Sequence, residues 1–68
     1  MTVTGQDLAA LIAGKIADEI VAAMLHEEVQ ADAARTAEDA PGLAGNVVMV
    51  DLSDGRAAEI TIEIREGS

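Results

Sequence analysis

"HEEVQADAARTAEDAPG", His26–Gly42, lies between a strongly apolar segment and a strand-rich C-terminal third. Whether it prolongs the helix before it or forms a working site of its own decides how the chain is built. Val29 is the only large aliphatic residue between His26 and Ala40. Ala31, Ala33, Ala34, Ala37 and Ala40 keep helix propensity high. Arg35 stands at helical spacing from Asp32, Glu38 and Asp39, pairs worth about 0.2–0.5 kcal/mol each. Pro41 disfavours the α region at the residue before it, and Gly42 and Gly45 make "PGLAGN" a loop. The stretch is expected to be a solvated helical arm, or a second short helix after a break near Gln30–Asp32, and not a site.

Upstream, the helix start is well marked. Thr4 is the expected N-cap and Asp7, three residues on, completes a capping box. Val3 and Leu8 occupy the staple positions, and Asp7 suits the positive end of the helix dipole. Leu8, Ile12, Ile16, Ile20 and Met24 recur every four residues as a ridge. Leu11, Val21 and Leu25 lie off that ridge, with Ala9, Ala13, Ala17 and Ala23 between. The apolar sector is wider than the stripe of an ordinary surface helix, more than a hairpin alone can cover.

Downstream, "NVVMV" and "AEITIEI" alternate and are β-branched. A two-residue Asp54–Gly55 turn would mix the two faces. A three-residue loop, Ser53–Gly55, with Gly55 left-handed in a bulge, pairs Val48 with Ile60 and Val50 with Ala58. It puts Val48, Val50, Leu52, Ala58, Ile60, Ile62 and Ile64 on one face. Val47 and Met49 form a small apolar spot on the other, otherwise polar, face with Thr61, Glu59, Glu63 and Arg65.

The expected fold is α+β in αββ order. One long N-terminal helix covers 5–40, with a possible break near residue 31; a loop follows over 41–45 and a two-stranded antiparallel hairpin over 46–66. All of it forms one small domain, 1–68. A chain of 68 residues with no aromatic and no cysteine has little core, and a two-stranded sheet exposes both edges. Oligomerisation is therefore expected to complete it. The expected interface comprises Leu8, Leu11, Ile12, Ile16 and Ile20 of the helix, then Val21, Met24 and Leu25, with Val47 and Met49 of the sheet.

Several chemistries are tested and set aside. "HEE" at His26–Glu28 lacks the second histidine of a zinc-protease helix, because position 30 is Gln. "DLSDGR" has its glycine fifth rather than sixth for a calcium loop. "GLAGN" is followed by a strand and not by the helix a phosphate cradle requires. Neighbouring acids such as Asp18 and Glu19 point about 100° apart on a helix and share no site. No catalytic residue, cofactor or metal is expected, and no small-molecule substrate.

A net charge of -9 with four Lys and Arg opposes direct contact with nucleic acid or an anionic membrane. Lys15, Asp18 and Glu19 interrupt the apolar run and argue against a membrane span. "MTVTGQD" has no basic segment typical of a secretion signal. The expected product is soluble, cytoplasmic or virion-associated. The expected function is that of a non-enzymatic acidic assembly module, which self-associates or docks on a larger protein scaffold. A phage accessory or decoration subunit would suit such a chain, and the Ala, Gly, Val, Asp and Arg bias fits a GC-rich genome. The alternatives are an acidic inhibitor that mimics nucleic acid, and an antitoxin-like adaptor whose acidic arm, Glu27–Asp39, grips a basic protein.

Overall fold

The architecture is that of a computed structural model, which describes residues 3–66. Residues 1, 2, 67 and 68, included in the expected domain, lie outside the described residues. Helix α1 spans Gly5–Ala23 and strand β1 Ala31–Arg35; strands β2, Val47–Leu52, and β3, Ala57–Thr61, follow. The strands form one antiparallel sheet in the order β1-β2-β3. The chain is α+β, with three strands where two were expected.

The helix begins where the sequence indicates. Thr4 is extended, and its Oγ1 accepts from the Asp7 N–H at 3.0 Å. This satisfies one of the amide groups that the first turn leaves without a partner. The staple positions Val3 and Leu8 remain exposed.

The helix does not continue to residue 40. It is capped at Met24, whose N–H donates to the Ile20 carbonyl, and turns follow through Glu27. The C-terminal turn has no basic residue, and Glu27 and Glu28 follow at the negative end of the dipole, where acids are unfavourable. The alanine-rich arm then becomes a strand. Alanine has little intrinsic strand preference, so β1 exists because of what it meets. It pairs Ala34 with Val50 and Arg35 with Met49, filling a ladder on β2 that a two-stranded hairpin would leave open. The backbone polar groups gained there outweigh a helix propensity worth only tenths of a kcal/mol per residue. Between Ala31 and Ala33 the register shifts, leaving Asp32 as a bulge residue.

The hairpin has the expected register: Val48 opposite Ile60 and Val50 opposite Ala58. Gly55 has φ of 91°, and its N–H donates to the Leu52 carbonyl at 3.1 Å. A positive φ of this size is cheap only for glycine, so the three-residue turn follows from that residue.

Ala13 of α1 packs with Ala31, Val48 and Val50 of the sheet in one buried cluster, and Ala9, one turn earlier on the helix, is buried too. Ile16, Ala17, Ile20, Val21 and Met24 pack around them, as do Ala34, Leu52, Ala58, Ile60 and Ile62. With Ala13 of the helix and Ala31 of the sheet at the centre, α1 lies close to β1 and β2, and the larger side chains close the rim. Ile64, expected on the inner face, is exposed, although a Cβ on Gly5 would stand 3.8 Å from the Ile64 Cβ.

Candidate functional site

The i+4 ridge does not stay on one side of α1. Four residues turn a helix by about 400°, so each step leads by about 40° and the ridge from Leu8 to Met24 sweeps about 160°. Ile16, Ile20 and Met24 reach the sheet, and Val21 joins them; the chain's own core takes all four. Ile12 is half-buried, and Leu8 has rotated out to 37 % exposure. Leu11 lies on the far side of the helix from the sheet and is 57 % exposed; Leu25, just past the cap, is 54 % exposed. Val47 and Met49 are half-buried on the sheet face away from α1, among Arg35, Glu59 and Thr61. The ten residues expected at an interface therefore divide among core, outer helix and outer sheet.

Around Leu11 the outward side of α1 carries Asp7, Lys15, Asp18 and Glu19, all exposed. The loop from Thr36 to Asn46 runs beside it. Two backbone N–H groups, from Asp39 and Ala40, donate to the Thr36 carbonyl at 3.0 and 2.9 Å, and Asp39 Oδ2 accepts from the Thr36 N–H at 3.4 Å. These bonds close a turn that brings Ala37 and Glu38 to the helix. Between helix and loop lies an open groove of about 280 Å³, lined by Ala10, Leu11, Gly14, Lys15 and Asp18 on one side and Ala37, Glu38 and Gly45 on the other. The sequence did not point to this groove, because a helical reading of residues 31–40 carries Glu38 away from Asp18.

The arginines are held within the chain. Arg35 Nη2 reaches Asp51 Oδ1 at 2.9 Å on the outer sheet face, not Asp32, Glu38 or Asp39 as helical spacing would have it. Arg56 is bound to Asp54 across the turn at 2.6 Å, and Arg65 to Glu63 at 3.1 Å. The Arg56 side chain and N–H both donate to Asp54, which holds the Asp54 carboxyl below its ordinary range and raises Arg56. The Arg56 side chain is largely exposed and that of Asp54 partly so, and the two lie two residues apart in the hairpin turn, so this pair is a feature of the turn and not of a site. Among the described residues, three of the thirteen acids pair with arginine, and Lys15 is the one Lys or Arg side chain outside those pairs.

His26 is exposed in the turn after α1. Among the described residues, no three His, Cys, Asp or Glu side chains are grouped to hold a metal ion. No described helix is long and apolar enough to cross a membrane. Of the segment Glu27–Asp39, expected as a solvated helical arm or a second short helix, Ala31–Arg35 forms β1 and pairs with β2. No protein-family model matches the chain, and no curated protein or solved structure shows significant similarity to it.

Proposed function

We propose that this protein is a small acidic docking module without catalytic activity, which attaches to a larger protein assembly through the outward side of α1. The exposure of Leu11 supports this reading: a large aliphatic side chain stands on the side of the helix opposite the core, with Leu8 nearby. More than half of Leu11 is open to water, and covering that part against a partner would contribute about 1–2 kcal/mol. An accessory or decoration subunit of a virion is one setting for such a module, and self-association through the same face is the other form the reading takes.

The adaptor alternative rested on a helical acidic arm, Glu27–Asp39; with Ala31–Arg35 in β1, its remaining acids, Glu27, Glu28, Glu38 and Asp39, flank a strand and do not share a helix face. The nucleic-acid mimic requires carboxylates gathered in a stripe, whereas those of this chain are spread over helix, turns, loop and sheet.

Native mass spectrometry of protein purified from its source tests the proposal. The expected result is a mass above the 7.0 kDa of one chain, as an oligomer or with a co-purifying protein, which the Leu8→Ser/Leu11→Ser variant loses. Bare chains of that mass for both proteins would overturn it.

A further inference from the structure

We propose that the groove between α1 and the β1–β2 loop receives an arginine side chain from a basic amphipathic segment of the partner, whose apolar side chains lie on Leu8 and Leu11. The inference rests on the docking reading above and names the partner's chemistry. The groove has an apolar floor and charged walls. Nothing lies within 4 Å of where a Cβ would stand on Gly14 or on Gly45, so two glycines from separate elements leave the floor open. Ala10 and Leu11 offer a surface for a long aliphatic stem. Asp18 and Glu38 approach from opposite walls, and neither forms an ion pair or side-chain hydrogen bond among the described residues.

The charge lining this groove is one positive unit short. Two carboxylates face one ammonium, Lys15, and a guanidinium would balance them. A guanidinium suits the place better than a second ammonium. It is planar, weakly hydrated and offers donors in two directions, so it can serve carboxylates on both walls while its face rests on apolar atoms.

A second copy of the chain is the poorer match, because like charge opposes it. Each copy brings a net charge of -9, and its three arginines already face Asp51, Asp54 and Glu63 in exposed pairs worth up to about 1 kcal/mol each. Two such faces would set Asp7, Asp18 and Glu19 against their equivalents. A cationic partner meets attraction at the same surface, both in steering and in contact.

The test is fluorescence anisotropy on the full chain with two synthetic helical peptides. One has leucines along one face bordered by arginines; the other has citrulline, uncharged and of the same shape, at each arginine. The expected result is binding of the arginine peptide, weakened at least about tenfold by citrulline. Asp18→Asn/Glu38→Gln should remove most of that preference, and Gly14→Met should weaken arginine binding by filling the groove without changing charge. Circular dichroism verifies that each variant is folded. Equal binding of the two peptides, absence of binding, or an unchanged preference in the carboxylate variant would overturn the inference. If Leu8→Ser/Leu11→Ser abolishes binding while the carboxylate and glycine variants do not matter, the docking reading stands and the groove falls. If the leucine variant binds as well as the parent, the docking reading falls too.

Discussion

Gln30 and Ser53, twenty-three positions apart, hold each other by two hydrogen bonds: the Gln30 N–H donates to Ser53 Oγ at 3.0 Å, and the Ser53 N–H donates to the Gln30 carbonyl at 2.9 Å. They fasten the start of β1 to the β2–β3 turn, next to the bulge where regular pairing is interrupted. Ser53→Ala removes the acceptor of one bond and is expected to destabilise the fold by about 0.5–1.5 kcal/mol. Amide hydrogen exchange at Ala31 and Ala33 should rise first. A uniform rise across the sheet, with none favouring β1, would show that this link has no local role.

Gly55 supplies the backbone conformation that sets the hairpin register. Gly55→Val should cost more than about 1 kcal/mol, because a β-branched residue resists a positive φ. Gly55→Asn should cost less, since asparagine tolerates this region better. Urea unfolding of the three proteins measures both differences, and equal midpoints for Val and Gly would contradict the turn.

Ala13 and Leu11 make a contrasting pair on the same helix. Ala13 is 0 % exposed and packs against the sheet, whereas Leu11 faces outward. Ala13→Leu is expected to destabilise by about 1–3 kcal/mol through overpacking. Leu11→Ser should leave thermal unfolding within about 0.5 kcal/mol of the parent. If the two substitutions change the melting temperature equally, α1 is rotated from the orientation described.

Asp54 gives the fold a pH-dependent component. Bonds from the Arg56 side chain and N–H lower its pKa in the folded protein. The associated stability is therefore complete above the ordinary aspartate value of about 3.9 and disappears as the pH falls through the lowered folded value. Asp54→Asn keeps an acceptor for the Arg56 N–H but removes the charge. The variant should melt below the parent at neutral pH, and the difference should shrink to nothing in acid. A difference that persisted in acid would assign the effect to the turn's shape and not to its charge.

How much of this was legible in the sequence depended on whether the deciding contact was local. Thr4 and Asp7 lie three residues apart and identify the helix start. Gly55, set between two alternating segments, identifies the turn and the register. β1 was not legible, because Ala31–Arg35 carries a helical composition and became a strand only through β2, some fifteen residues later in the chain. The groove was hidden for the same reason, since Glu38 approaches Asp18 only when the chain doubles back. Leu8 and Leu11 were expected at an interface, but so were Ile16, Ile20, Val21 and Met24, which pack on the chain's own core, because an undivided apolar sector does not show which part the sheet will cover.

The displaced residue at Asp32 bears on how copies of this protein could join sideways. It puts a kink and a carboxylate on the flank of the ribbon that β1 forms, which makes that flank a poor template for an incoming strand. β3 forms the opposite flank and has no such interruption in its pairing with β2. Growth by adding one copy after another needs two unlike flanks that fit together, and here one is spoiled. Joining like to like at β3 about a two-fold axis closes as soon as two chains have met. A ribbon with one interrupted flank and one regular flank thus lacks the matched pair of edges that serial addition of copies requires.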